Sequence, residues 1–277
     1  MKNTWHLKRI EEKIVDERSK KIFKIKIIKI RVYNKYKLGG KMKIVAWNCH
    51  GNFENKIEKI KNSDIDIYVI SECEDPSNYD YQKYEDFACK HYWVGDNNYG
   101  LGIFAKDNVE LELVNLDNKG LRYFLPVKVN DDFNLLGVWT NPDMDGSKVV
   151  QYPKEITEYY EAHKNSNTEF FNENMIICGD FNCDKRLSEK KHGQNVDEMI
   201  GKLSEINLID VYHEKYGEKE GEESKTTHYW QWNPENHYHL DHVFAAKSRV
   251  ECLKIDDDYN KWVEPRISDH VPIIFKI

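Results

Sequence analysis

The sequence predicts an α/β sandwich. Short β-branched and aromatic runs recur from residue 42 to the last residue, and amphipathic stretches of helical period lie between some of them. No segment repeats at a solenoid period. At 277 residues, with 40% hydrophobic and 13% aromatic side chains, the chain is large enough for one sizeable α/β domain or two small ones, and overall disorder is excluded.

Residues 1–41 stand apart. They hold 14 basic and 4 acidic side chains, against 27 and 44 in the rest, so a segment of +10 precedes a body of −17. Ile22–Val32 alternates Lys with Ile, and Leu38-Gly39-Gly40 reads as a linker. The segment is expected to be a basic extension upstream of a start at Met42, a weakly structured arm that touches nucleic acid or an anionic membrane, or an added strand or helix. The catalytic domain is expected over 42–277. An acidic body does not attract polyanions by general charge, so any work on phosphates needs a metal ion or a local cluster.

From Met42 the elements follow in order. Lys43–Trp47, Ile65–Ile70, Gly100–Ala105, Tyr123–Val129, Phe133–Thr140, Met175–Cys178, Leu240–Ala245 and Val271–Ile277 read as strands, because each is short, apolar and bounded by turn residues. Glu54–Lys61 and Val149–Ala162 read as helices. So does Val196–Asn207, with Val196, Met199, Ile200 and Leu203 on one face. Residues 214–226 are charged and contain glycine, which predicts a surface loop.

Six cysteines occur without a C-x-x-C pair, no secretory signal is visible, and no window of about 18 apolar residues occurs. These features predict free cysteines, no membrane span and a cytoplasmic setting. Cys178 and Cys183 are five apart, which is not zinc-ribbon spacing, and they read as packing.

Several strands end in the same kind of residue. KIVAW ends in Asn48, IYVIS in Glu72, LGVWT in Asn141, and MIICG in Asp180 with Asn182. Asp241 opens one strand, and Asp269-His270 leads into the last. Taken singly, each is explained by a cap or a turn. Taken together, they converge if the strands lie side by side. Glu72, Asp269 and Asn48 offer hard oxygen ligands that suit Mg²⁺ or Mn²⁺. Asp180 can take a proton from an attacking water, and Asn182 can orient that water or the phosphate. His270, paired with Asp241, can stabilise charge on a phosphoryl oxygen. Strand alternation puts His237, His239 and Asp241 on one face and His242 on the other. His239 is therefore expected to face the substrate pocket, with a zinc site the lesser reading.

Trp47-Asn48, Ser71-Glu72, Gly179-Asp180-Phe181-Asn182, Leu240-Asp241 and Ser268-Asp269-His270, in this order, resemble the endonuclease/exonuclease/phosphatase superfamily. That superfamily includes pancreatic-type deoxyribonucleases, apurinic/apyrimidinic endonucleases, inositol polyphosphate phosphatases and neutral sphingomyelinases. Each motif is short, but five in order across residues 42–277 are specific. The resemblance implies a four-layer αββα sandwich, with two mainly antiparallel central sheets and the site at one end of them. It implies Glu72 as chief metal ligand with Asn48 and Asp269 nearby, Asp180 as base, Asn182 as positioning amide, and His270 held by Asp241 against the scissile phosphate. Asn141 resembles the phosphate-contacting residue after the middle strand, although the histidine and the Tyr-x-x-Asn spacing of well-known branches are missing. Thr227-His228-Tyr229-Trp230 resembles, loosely, a segment that lines the site in nuclease branches.

The function expected is Mg²⁺-dependent hydrolysis of phosphodiesters, with DNA or RNA as partner. A phosphomonoesterase or lipid-type phosphodiesterase would use the same residues. A non-catalytic binding module is least consistent with a complete residue set.

Overall fold

The computed structural model describes residues 12–16, 21–25, 41–78, 87–96, 99–140, 152–188 and 196–277. The chain divides into two units, 1–40 and 41–277. In the first, Glu12–Asp16 (β1) and Lys21–Ile25 (β2) pair antiparallel. The expected linker Leu38–Gly40, the start of the helix expected from Val149, and Asn141 lie outside the described residues.

The second unit contains two six-stranded sheets. One runs β15 (Cys252–Ile255), β16 (Ile273–Lys276), β3 (Lys43–Asn48), β4 (Ile67–Cys73), β6 (Tyr99–Ala105) and β5 (Lys90–Asp96). The other runs β11 (Ile209–Asp210), β14 (Asp241–Ala245), β10 (Met175–Asp180), β9 (Phe133–Trp139), β8 (Tyr123–Val129) and β7 (Leu111–Leu113). Each sheet has a single parallel pair, β3 with β4 and β10 with β9, and every other pairing is antiparallel. The strand ends that matter therefore coincide. The parallel pairs finish at Asn48, Glu72 and Asp180, while antiparallel β14 starts at Asp241 beside Asp180.

The inner faces of the two sheets meet directly. A Cβ on Gly137 of β9 would lie 3.2 Å from Ile103 of β6 and 3.3 Å from Val69 of β4. Period-2 alternation sends Ile44, Ala46 and Asn48 of β3 to one face. The same alternation groups Ile176, Cys178 and Asp180 of β10, and Asp241, Val243 and Ala245 of β14. Outside the second sheet, helices α2 (Tyr152–His163) and α4 (Val196–Ser204) bury Ile156, Tyr159, Met199 and Leu203 against Phe124, Leu136, Ile177 and Phe244. Phe124 stacks on Tyr159 at 4.4 Å between centroids. On the first sheet, Trp47 packs against Phe53, which lies just ahead of α1 (Ile57–Ile60), and against Trp262 of α6 (Tyr259–Trp262). Helix, sheet, sheet and helix make the four-layer α/β sandwich.

Four strands at sheet margins, β5, β7, β11 and β15, had no clear signal in the sequence. Edge strands bury little, so their side chains do not form an apolar run. Residues 214–226 are not simply solvated. Helix α5 (Val211–Tyr216) takes up their start, capped by the Asp210 carboxylate, and ends at Gly217 with φ 67°. The chain beyond turns Glu223 inward, so its side chain is 2% exposed.

Candidate active site

Two local backbone features aim the carboxylates. The β4–β6 ladder shifts register between Ser71 and Cys73, and Glu72 occupies the bulge with φ 59°. A bulge re-aims a side chain at the cost of strain, which is a pattern concentrated at functional sites. On the other sheet, Gly179 has φ 140°, and a Cβ there would stand 2.0 Å from the Val138 carbonyl oxygen. Glycine alone lets β10 lie this close to β9 immediately before Asp180. Asn182 follows at φ 48°, a left-handed conformation that asparagine tolerates.

The structure brings Asn48, Glu72, Asp180, Asn182, Asp241 and His270 into one connected network. The Asn48 amide bridges the two sheets: its Nδ2 donates to Glu72 Oε1 at 2.9 Å and to Asp180 Oδ2 at 2.8 Å. Asn182 Nδ2 donates to the Thr140 carbonyl at 2.8 Å and to Asp180 Oδ2 at 3.1 Å, and its backbone N–H donates to Asp180 Oδ1 at 2.9 Å. His270 Nδ1 donates to Asp241 Oδ2 at 2.8 Å, and its Nε2 lies 3.9 Å from Asp180 Oδ2. The His270 loop is fixed by its own backbone. Ser268 Oγ donates to the Asn48 carbonyl and accepts from His270 N–H, while Trp47 Nε1 donates to the His270 carbonyl.

Burial sets the electrostatics. Asp180 is fully buried, and burial pushes its carboxyl up to about 7, with Asp241's charge adding to the rise and His270's opposing it. For His270, burial acts downward, but the charges of Asp241 and Asp180 and the Asp241 hydrogen bond outweigh it and raise the ring to about 10. The pair therefore holds an imidazolium beside a carboxyl poised near neutrality. Asp269 sits 3.0 Å from His50 Nδ1 and 3.7 Å from His228 Nε2. Burial disfavours its charge, yet these histidines hold its carboxyl well below the usual range.

Sequence reasoning missed two contributors, His50 and Tyr152, and assigned no specific role to two that lie in quoted motifs, His228 and Ser268. His50 follows β3 in a left-handed turn, and His228 reaches His270 through an isolated bridge with rings 4.5 Å apart. Ser268 locks the final loop as described above. Tyr152, the first residue of α2, is raised to about 12 by burial and by the charge of Asp180. Of these, His228 and Ser268 had a signal, in the Thr-His-Tyr-Trp and Ser-Asp-His segments.

His239 is a correction. The structure places it away from this network, 1% exposed, with its ring 4.4 Å from Tyr212 and 5.1 Å from His242, and its Nδ1 donating to the Lys225 carbonyl. The strand alternation assumed between His237 and Asp241 does not hold, because β13 (His237–Tyr238) ends before His239 and β14 begins at Asp241. His242 does point to the opposite face from Asp241. It is tied to Asp210 Oδ2 at 2.8 Å and to the Cys183 carbonyl at 3.0 Å. Cys49, Cys73, Cys178 and Cys183 are buried free thiols.

A divalent ion fits the Glu72 corner by its donor chemistry. Glu72 and Asp269 offer carboxylate oxygens, while Asn48 turns its Nδ2 to Glu72 and its Oδ1 accepts from the His50 N–H at 2.9 Å. One or two carboxylates with retained waters is the way Mg²⁺ is held, rather than by an all-protein cage. Asp180–Asp241–His270 and His228–Asp269–His270 also group ligand atoms within 4.8 Å. Among the described residues no helix is long and apolar enough to cross a membrane.

Solved structures share this architecture. The 3′ phosphatase NExo from Neisseria, bound to a product DNA hairpin, matches with TM-score 0.61 and 18% identity over 84% of this chain and 98% of that one. An AP endonuclease from Archaeoglobus fulgidus matches with TM-score 0.60 and 16% identity over 84% and 98%. D. rerio TDP2 complexed with single-strand DNA product matches with TM-score 0.55 and 14% identity over 86% and 99%. No curated protein matches the chain. The family model for the endonuclease/exonuclease/phosphatase family matches residues 45–270, a span that holds every member of the network. The chain belongs to the endonuclease/exonuclease/phosphatase family.

Proposed function

We propose that the protein is a Mg²⁺-dependent phosphodiester hydrolase acting on nucleic acid, with Mn²⁺ able to replace Mg²⁺. The observation that carries the chemistry is the buried Asp180 carboxylate 3.9 Å from the Nε2 of a histidine anchored by Asp241. A carboxyl held near 7 is suited to accept a proton from an attacking water at neutral pH. Asn182, fixed to Asp180 and to the Thr140 carbonyl, positions that water. The imidazolium of His270 donates to a phosphoryl oxygen as charge develops, and Asp241 keeps its proton in place. Glu72, with Asn48 and Asp269, would hold the metal, which would supply Lewis-acid stabilisation of the phosphoryl oxygens.

Aromatic side chains near the site support a nucleic-acid substrate. Trp230 is 52% exposed and Tyr99 50% exposed. The Trp232 ring meets His50 edge-on at 5.0 Å, and the Arg266 guanidinium lies 4.8 Å over it. Exposed rings beside a phosphate-handling site suit stacking on unpaired bases. The DNA-bound phosphatase and single-strand complex among the similar structures agree with this reading. Asn141, which directly follows Thr140, is proposed as a phosphate contact, and residues 1–41 as a basic arm that adds sequence-independent affinity.

The test is turnover of plasmid, single-stranded DNA, RNA and p-nitrophenyl phosphodiesters with Mg²⁺ or EDTA. Metal-dependent cleavage that is lost in Asp180→Asn and His270→Ala supports the assignment. Wild-type rates in either variant overturn it. Cleavage of only the small esters would shift the reading to a small-molecule phosphodiesterase.

A further inference from the structure

A second cluster of ligand-type side chains lies behind the site, on the opposite side of β14. His213 projects from α5, and the 217–226 loop folds over it. His213 Nε2 lies 3.0 Å from Glu220 Oε1 and 3.5 Å from Glu223 Oε1, and Asp210 offers a further oxygen within 4.8 Å of the His213 and Glu220 ligand atoms. The Nδ1 of His213 sits 3.0 Å from the Glu218 carbonyl, which can only accept, so Nδ1 carries the proton and Nε2 faces the carboxylates. That is the orientation in which histidine binds metals, with the far N–H anchored to a carbonyl. Two ligands at about 2.0–2.1 Å from a tetrahedral zinc ion stand about 3.3 Å apart, which both separations bracket.

Two further observations point to a cation. The Glu223 side chain is 2% exposed; its Oε1 lies 3.5 Å from His213 Nε2 and accepts from the Gly221 N–H at 2.7 Å, yet its Oε2 has no hydrogen-bond partner among the described residues. Charge is also out of balance. His242 answers Asp210 at 2.8 Å, which leaves Glu220 and Glu223 sharing one histidine. Two carboxylates against one imidazole leave an excess of negative charge, which is costly to bury.

We propose that Asp210, His213 and Glu220, with Glu223 against His213, bind a divalent transition-metal ion of the zinc class, which fastens the 217–226 loop to α5. Mixed imidazole and carboxylate donors suit zinc better than magnesium. The ion is structural, since the Asp180–Asp241–His270 chemistry lies on the other face of β14.

The test uses ZnCl₂ as probe and a full-length Glu72→Gln/His270→Asn chain, in which both other candidate groupings lose His270. Equilibrium dialysis with elemental analysis should find one Zn²⁺ per chain. Added His213→Gln or Glu223→Gln should weaken binding at least tenfold. Zn²⁺ should also slow proteolysis within 217–226 in the parent chain and not in the variants. Glu223→Gln is nearly isosteric, and melting without metal checks that the fold survives. No bound Zn²⁺ in the parent, or retention unchanged by both substitutions, overturns the proposal. Neither outcome bears on hydrolysis.

Discussion

Asp241→Asn asks how far one buried carboxylate governs His270. The substitution keeps the side chain's shape and leaves an oxygen to accept from His270 Nδ1, now 2.8 Å from Asp241 Oδ2, so it removes charge with little change in geometry. His270 stands at about 10 against an ordinary 6.5, a rise of about 3.5 pH units (10 − 6.5). At 1.36 kcal/mol per unit, the surrounding groups favour the proton by on the order of 5 kcal/mol. Burial works in the opposite direction and remains after the substitution, whereas Asp241 contributes the largest upward effect. The ring should therefore lose at least about 2 pH units and titrate at about 8 or below. The assay is the pH dependence of kcat/KM for a phosphodiester. In the wild type the rate rises as Asp180 loses its proton around 7 and falls as His270 loses its proton near 10. In Asp241→Asn the falling limb moves toward neutrality, and the rising limb also moves down, because Asp241's charge helps to raise Asp180. The maximum rate drops by about 10²- to 10³-fold. A falling limb within half a unit of its wild-type position would refute the reasoning, whatever the loss in rate.

Other predictions follow from the same geometry. Asp180→Asn should lower kcat by about 10²- to 10⁴-fold and abolish the rising limb near 7, which a pH–rate profile of the residual activity will show. Gly179→Ala forces a Cβ against the Val138 carbonyl oxygen, so it should cost at least about 2 kcal/mol in denaturant titration and reduce activity by displacing Asp180. Trp262→Ala opens a cavity against Trp47 and should cost about 3–5 kcal/mol of stability, read by the same titration. Trp230→Ala should raise KM for single-stranded DNA by the loss of about 1–3 kcal/mol of stacking, with kcat nearly unchanged and a small diester unaffected.

The central strands were legible in the sequence because they are covered on both faces and read as continuous apolar runs. Phe133–Trp139 and Met175–Asp180 are buried at every position. The margins were not, since β5 and β7 are half-exposed and carry no clear period. At the site, Asn48, Glu72, Asp180 and Asp241 were legible because strand ends concentrate functional groups, and polar residues there break an apolar run visibly. His50 gave no signal, and the Ser-Asp-His motif marked Ser268 without showing its role. His50 depends on a left-handed turn, and Ser268 on a hydrogen bond to a carbonyl 220 residues away in the chain. His239 misled because alternation was carried across a break between two strands. The acidic loop misled because composition reports solvation only when nothing folds it back, and here the Gly217 cap returns the chain over His213.

The most direct measurement of the central claim is hydrolysis of a DNA phosphodiester in ¹⁸O-labelled water with Mg²⁺ present. Attack of an activated water on phosphorus places one ¹⁸O in the phosphate of the product, with turnover lost in EDTA and in Asp180→Asn. Label found on a sugar carbon, or Mg²⁺-dependent cleavage that survives Asp180→Asn, would contradict the account.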